Sequence, residues 1–326
     1  MMDFYMRQEW TRLRDKDGRE MGKFRGEIGL LLVSIIWGSG FIASAIGLGY
    51  MSPNETLSGR FLVAAVLLVA LNLKNLRALK RETIRKGVIL GIFLYIAFVL
   101  QTVGLKYTTP SKNAFLTAVN VAVVPFIGYL FYRKNLNKKD ILRALIAMVG
   151  VGAISLQWSG AINFGDFLSF LCALAFAFHI YFTGEFMEEE KPLELTMVQM
   201  VTAFLIAMAV MALKGESLLG HDSRGYLAVV YLGIFSTTIA FLVQTISQKY
   251  TKSSRAAVIM STESLFAMVF SIVILKEQVA SRMILGALII FAAIILPQGK
   301  EDSALEEAEE LLMPGIVENM EEEDLA

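Results

Sequence analysis

Long apolar runs, separated by short loops, fill the chain from residue 27 to residue 296. A run of about 20 apolar residues is long enough to cross the ~30 Å hydrocarbon core of a bilayer as an α-helix. We therefore predict an all-α membrane protein with ten transmembrane helices between charged tails at 1–26 and 297–326. These helices, numbered spans 1 to 10, cover residues 27–49, 55–73, 87–105, 111–132, 139–157, 166–186, 193–213, 225–247, 255–275 and 281–296.

One polar motif interrupts the apolar pattern twice. Residues 97–114 carry Ala-Phe, Gln-Thr, Lys-Tyr-Thr, Ser and Ala at set spacings, and residues 240–257 carry the same set 143 positions later. The correspondence continues for about 50 residues without a gap, which indicates an internal duplication. We predict two five-helix repeats, at 27–157 and 158–296. Because five is an odd number, the second repeat is inverted in the membrane, an arrangement typical of secondary transporters.

Composition supports the membrane assignment and narrows the chemistry. Hydrophobic residues make up 56% of the chain and charged residues 18%, and the mean hydropathy is +0.58, whereas a soluble domain has roughly 25% charged residues. The single cysteine, Cys172, excludes an internal disulfide and a cysteine-based metal cluster. We expect no metal, cofactor or nucleic acid; the expected partners are a small-molecule substrate and the lipid bilayer, and oligomeric state is left without a prediction.

Basic residues in the short loops predict the orientation of the chain. The loops at 74–86 and 133–143 are rich in Lys and Arg, whereas the loops at 50–54 and 158–165 contain neither. Loops with excess Lys and Arg stay in the cytoplasm. With an even number of spans, both termini are then cytoplasmic, and we predict a multi-pass protein of the cytoplasmic membrane.

Polar residues inside the apolar runs mark a candidate cavity, because a polar group within hydrocarbon must face protein or water. In span 4 such residues follow helical spacing at i, i+4 and i+7. Each residue also has a packing interpretation, since Ser, Thr, Gln and His side chains often only join neighbouring helices. Both interpretations stand on sequence grounds. The candidate cavity residues are Trp37, Tyr95, Asn113, Thr117, Asn120, His179, Thr237, Gln244 and Glu263.

Two charged residues lie well inside the predicted spans. Arg60 is about five residues into span 2, and Glu263 is about eight residues into span 9, a depth of roughly 12 Å at the rise of an α-helix. An unpaired charge at such depth costs at least ~2.5 kcal/mol. We interpret Arg60 as a structural charge that extends toward the membrane surface. Glu263, together with His179, is a candidate for proton coupling, with a hydrogen-bonded helix clamp as the alternative.

Several of these residues give the chain a family resemblance. Trp37-Gly38, Arg60-Phe61, Lys106-Tyr107-Thr108, Glu263-Ser264 and Gly286-Ala287-Leu288-Ile289 stand where the EamA-type branch of the drug/metabolite transporter superfamily has similar residues. The resemblance implies ten helices in two inverted repeats, a central substrate cavity, and export of amino acids, metabolites or drugs. The family usually has proline after the span 9 acid, where this chain has Ser264. We expect a kink in span 4 at Pro125.

The function predicted from these observations is secondary transport. The chain would export small metabolites, amino acids or drugs by alternating access, with proton coupling as a further hypothesis. The alternative is an uncoupled exchanger, or a translocator of lipid headgroups or metabolites. No HExxH motif, nucleophile elbow or P-loop is present, which disfavours a membrane enzyme.

Overall fold

The computed structural model describes residues 2–133, 138–155 and 163–296, and these residues form helices joined by short turns. The predicted acidic tail at 297–326 lies outside the described residues. The α-helices are α1 Met2–Gly47, α2 Pro53–Leu71, α3 Arg81–Leu105, α4 Pro110–Thr117, α5 Asn120–Tyr132, α6 Lys138–Ser155, α7 Phe164–Phe186, α8 Pro192–Leu213, α9 Ser223–Tyr231, α10 Ala240–Gln248, α11 Ser253–Met260, α12 Glu263–Phe270 and α13 Ser281–Ile295. A 3₁₀ turn covers Leu73–Ala78, and π-helical segments cover Leu232–Ile239 and Ser271–Leu275.

Within the described ranges, eight helical segments are long and apolar enough to cross a membrane. They correspond to predicted spans 1 to 4 and 6 to 9. Predicted span 5 is α6, which begins with several charged residues, and predicted span 10 is α13, whose apolar part, Ser281–Ala293, is shorter. Eight of the ten predicted spans are therefore supported by length and composition. The charged residues before span 1 continue the same helix, because α1 begins at Met2.

The two repeats pack as an inverted pair. Helix α3 packs on α7 and α8, and its counterpart in the second repeat, the segment from α9 to α10, packs on α1 and α2. The first half of span 4, α4, contacts α12, which lies in the second half of span 9; α5 likewise contacts α11. Spans 4 and 9 therefore run antiparallel, as expected for inverted repeats. Helices α6 and α13 pack against each other.

Spans 4 and 9 are each broken at the same place in the repeat, at residues 118–119 and 261–262. The predicted kink at Pro125 is displaced, because this proline lies inside α5 and the break comes one to two turns earlier. There the backbone changes to tighter bonds, such as Ala122 N–H to the Val119 carbonyl at 2.9 Å. The proline ring crowds the carbonyl of the residue four positions before it, which disfavours a regular helix in this turn.

Span 9 breaks without a proline. The hydroxyls of Ser261 and Thr262 donate to the carbonyls of Val258 and Ile259, at 2.6 and 2.7 Å. Such local bonds compete with the regular helix ladder. As a result, Asn120 and Glu263, which are 143 positions apart, each begin the second half of a broken span.

Equivalent ion pairs lie at opposite ends of the bundle. Lys112 of α4 pairs with Asp166 of α7 at 3.2 Å, and Arg255 of α11 pairs with Glu27 of α1 at 2.5 Å. Lys112 and Arg255 are 143 positions apart, and Glu27 and Asp166 are 139 apart, so span 6 repeats span 1 with that offset. The first pair is buried, with side-chain exposures of 12% and 0%, and the second is exposed, at 51% and 24%.

A further polar cluster fixes the start of α3 to the turn between α7 and α8. Lys86 contacts Glu189 at 2.5 Å and Glu190 at 3.1 Å, and the Thr83 hydroxyl donates to Glu190 at 2.6 Å. Burial opposes ionisation of Glu190, but the hydrogen bonds from Thr83 and Lys86 outweigh it. They hold the pKa of Glu190 below its usual value of 4.5.

Candidate functional site

A cavity of about 610 Å³, including the space at its mouth, lies between the two repeats. Spans 1, 2, 3, 4, 6, 8 and 9 contribute to its wall. The lining residues are Trp37, Gly40, Phe41, Ser44, Arg60, Phe98, Gln101, Thr102, Leu105, Thr117, Asn120, Phe176, His179, Ile180, Ser236, Gln244, Met260 and Glu263.

Six of the predicted cavity residues line this space, and three do not. The six are Trp37, Thr117, Asn120, His179, Gln244 and Glu263. Tyr95 instead packs in the apolar cluster around α2 and α8. Asn113 joins α4 to α7, because its amide donates to the Ser169 hydroxyl at 2.8 Å. Thr237 contacts the site indirectly, as a hydrogen-bond acceptor for Arg60.

Sequence reasoning missed some of the lining residues. Ser236 lies in the π-helical segment Leu232–Ile239, whose wider turn shifts the inward face away from the 3.6-residue period that a helical pattern assumes. The hydroxyl of Thr237 bonds the carbonyl five residues earlier, which reflects this wider turn. Two further lining residues, Gly40 and Ile180, can be found from the internal repeat. At the 139-residue offset Gly40 is equivalent to His179, and Ile180 is equivalent to Phe41.

Arg60 occupies a different place from the one predicted. It does not extend toward the membrane surface: it is 2% exposed and lines the cavity. Its Nε donates to Thr237 Oγ1 at 3.0 Å and its Nη2 to Ser236 Oγ at 3.4 Å. Its guanidinium carbon lies 4.1 Å from the centre of the Phe98 ring, a cation–π contact. In the described part of the chain, no carboxylate oxygen lies within 4.0 Å of the guanidinium.

Hydrogen-bond acceptors line another part of the cavity. Glu263 begins α12, is 6% exposed, and has no hydrogen-bond partner for its carboxylate among the described residues. Asn120 Oδ1 and Gln244 Oε1 are buried without a protein partner in the same ranges. His179 is held by Gln199, whose Oε1 lies 2.7 Å from its Nε2. The wall therefore carries one cation, one carboxyl group and several amides whose oxygens are not used by the protein.

Aromatic side chains form the apolar part of the wall. The Trp37 ring lies 5.0 Å from the Phe241 ring, centre to centre, at a tilt of 53°, and its Nε1 donates to the Ser236 carbonyl at 3.0 Å. Phe98 meets Phe176 edge to face at 5.4 Å. These contacts fix the rings in place, so the cavity presents a rigid apolar surface beside its polar groups.

Part of the lining follows the two-fold relation of the repeats. Spans 4 and 9 contribute equivalent pairs, Thr117 with Met260 and Asn120 with Glu263. Near the ends of spans 1 and 3, however, the lining residues have equivalents that do not reach the cavity. These lining residues are Ser44, Thr102 and Leu105, and their equivalents are Thr183, Thr245 and Gln248.

Hydrogen bonds between helices close the second end. Gln248 Nε2 of α10 donates to the Ile180 carbonyl of α7 at 2.9 Å, and within α10 Gln248 Oε1 accepts from Gln244 Nε2 at 2.9 Å. Thr196 of α8 donates to the Thr245 hydroxyl at 3.1 Å. The cavity thus extends toward the end of the bundle where α1 and α3 finish, and it is closed toward the end where α7 and α10 finish.

Comparisons with known proteins agree with this architecture. The model of the EamA-like transporter family matches residues 24–156 and 163–297, which are the two repeats. An uncharacterized transporter of Archaeoglobus fulgidus is 32% identical over 285 residues, covering 87% of this chain and 89% of the relative. The uncharacterized transporter YyaM of Bacillus subtilis is 25% identical, covering 83% of this chain and 92% of the relative.

A solved crystal structure shares the fold. It aligns with a TM-score of 0.60 at 15% identity, covering 84% of this chain and 95% of the other. The family match extends over both repeats, and the match to the archaeal transporter extends over most of both chains. The chain belongs to the EamA-like transporter family.

Proposed function

We propose that this membrane protein is a secondary transporter that exports a small organic solute from the cytoplasm by alternating access. One observation carries the proposal: the cavity between the inverted repeats extends toward one end of the bundle and is closed at the other by equivalent residues. If the protein kept a single conformation, nothing would require equivalent residues of the two repeats to be open at one end and closed at the other. In an alternating-access transporter, the two arrangements are those that the repeats exchange.

The closing contacts name the parts that would move. To open the closed end, Gln248 would leave the Ile180 carbonyl, and the region around Leu105 at the open end would take up the closed packing. The breaks in spans 4 and 9 lie at the middle of the cavity wall, where they allow each half of a span to move with a different end. If the basic loops are cytoplasmic, the open end faces outward and this conformation is the outward-facing one.

Glu263 is the group we propose for proton coupling. It lines the cavity, begins the second half of a broken span, and has no hydrogen-bond partner for its carboxylate in the described ranges. A proton on this carboxyl group would then be exchanged with whichever side the cavity faces. His179 is a second candidate, although its Nε2 is already engaged by Gln199.

A binding screen followed by a flux assay tests the function. Purified protein is screened by thermal shift against amino acids, sugars, nucleosides and amines, since a ligand of the native state raises its apparent stability. Solutes that bind are then loaded into proteoliposomes, and release is measured with and without an imposed pH gradient. We expect saturable flux that the gradient accelerates in the wild type.

Glu263→Gln is the matched variant, because its equivalent in the first repeat, Asn120, is already an uncharged amide. We expect this variant to bind solute and exchange it, without acceleration by the gradient. Saturable flux that ignores the gradient in the wild type would instead identify an uncoupled exchanger. Binding without any flux across the bilayer would refute the transporter itself.

A further inference from the structure

Arg60 is a buried cation whose donors are only partly used. A guanidinium has five N–H groups and no acceptor. The protein engages Nε with Thr237 and Nη2 with Ser236, both of them neutral hydroxyls. The hydrogen of the Thr237 hydroxyl is itself given to the Leu232 carbonyl at 2.8 Å. Neither contact supplies the negative charge that a cation in a membrane interior requires.

No carboxylate of the cavity wall supplies that charge directly. Glu263 lines the same cavity, yet none of its oxygens is within 4.0 Å of the guanidinium. Glu55, at the start of α2, accepts from the Ser52 backbone at 2.8 Å and lies 3.4 Å from His221. Cavity space therefore separates Arg60 from the one carboxyl group that shares its wall in the described residues.

The guanidinium is also held in a defined orientation. The two hydroxyls fix one edge, and the Phe98 ring covers one face at 4.1 Å. Because Arg60 lines the cavity, part of the group faces the empty space. A planar guanidinium held in this way is suited to a carboxylate, which can accept two parallel N–H bonds.

We propose that Arg60 binds the carboxylate of the transported solute, so that the substrates are small carboxylic acids with an apolar body. The aromatic wall of Trp37, Phe98 and Phe176 would contact that body. The amide side chains of Asn120 and Gln244 also line the cavity beside this aromatic wall. This inference rests on the proposed transport function and assigns the chemistry of its site.

Two probes of the same shape test the assignment. The first is 3-phenylpropionate, and the second is its neutral amide, 3-phenylpropanamide. Binding of each to purified protein is measured by calorimetry at constant pH. In the wild type we expect the acid to bind at least about tenfold more tightly than the amide, because only the acid forms charge-assisted bonds. Equal binding of the two probes would overturn the proposal without any mutation.

Two variants then identify the residue responsible. Arg60→Lys keeps the charge but loses the paired geometry, and we expect it to keep a reduced preference for the acid. Arg60→Gln removes the charge, and the preference should disappear. A preference that survives in Arg60→Gln would overturn the assignment. If this variant does not fold, Arg60→Lys still decides, because an unchanged preference there would refute paired binding.

The transport assay separates this inference from the function on which it rests. Flux of an acid that is lost in Arg60→Gln and is reduced but present in Arg60→Lys supports both. Flux of a neutral or cationic solute that is unaffected by Arg60→Gln refutes the inference and leaves the transporter intact. Binding of the acid through Arg60 without flux would refute the transport function and leave the anion site in place.

Discussion

Replacing Gln248 by Ala should open the closed end of the cavity. In the conformation described, Gln248 makes one hydrogen bond across to α7, to the Ile180 carbonyl, and accepts a second one from Gln244 of its own helix. Each such bond contributes about 0.6 kcal/mol on average within a membrane and up to ~1.5 kcal/mol in other proteins. The bond to Ile180 would be absent in a conformation that is open at this end, whereas the bond within α10 can form in both conformations, so the substitution weakens the closed state more than the open one.

The expected shift follows from these values. The one bond between helices contributes about 0.6–1.5 kcal/mol, which corresponds to a change of roughly 3- to 12-fold in the ratio of the two conformations. Leu105→Ala is the matched control, because Leu105 is the equivalent residue at the open end and has no side-chain hydrogen bond. We expect the control to leave the closed end unchanged.

Cysteine labelling measures the shift. The single cysteine, Cys172, is buried and would be replaced by Ala to give a background without thiols. Ser44→Cys then reports on the open end and Thr183→Cys, its equivalent, on the closed end. With a membrane-impermeant maleimide added from the closed side, Gln248→Ala should increase labelling of Thr183→Cys by the factor given above, up to saturation.

The outcome at the open end decides between a conformational exchange and a loosened bundle. In an exchange, labelling of Ser44→Cys from the open side does not rise, and it falls once the other conformation dominates. A parallel rise at both ends would refute the reasoning, because it would mean that the substitution only disrupts packing. Unchanged labelling of Thr183→Cys would also refute it, because the hydrogen bond to Ile180 would then contribute nothing to closure.

Three further predictions concern stability. Lys112→Met should destabilise the protein by ~3 kcal/mol, because it leaves the buried carboxylate of Asp166 without its cation. Arg255→Met, at the equivalent exposed pair, should destabilise it by less than ~1 kcal/mol. Denaturant unfolding in detergent measures both values. Because the pKa of Glu190 is lowered in the folded state, the ionised side chain contributes its full stabilisation above the usual value of 4.5. That stabilisation is lost as pH falls through the folded-state pKa. Glu190→Gln should therefore reduce the loss of Tm between about pH 5 and 3. Gly38→Ala places a Cβ within 2.5 Å of Phe266 Cβ, so it should push spans 1 and 9 apart and lower the free energy of unfolding by ~1–3 kcal/mol. Gly47→Ala is the control: its Cβ meets the nearest neighbour at 3.4 Å, and it should leave Tm unchanged.

The sequence by itself determined the membrane class, the duplication and most spans. These features depend on local quantities: the length of an apolar run, the loop charge and the recurrence of a motif. The 143-residue offset of the repeated motif also pairs Asn120 with Glu263. The polar spacing on span 4 put Thr117 and Asn120 on one predicted face, and both residues line the cavity in the structure.

Only the tertiary structure decided which polar residues face the cavity and which join helices. Asn113 has the same spacing as Thr117, yet Ser169 of a neighbouring helix takes up its amide. Arg60 was expected near the membrane surface, but the hydroxyls of a π-helical segment hold it in the cavity. The physical reason is common to these cases: helical periodicity gives the direction of a side chain on its own helix. Its partner, and hence the charge balance of the site, depends on which other helix packs against it.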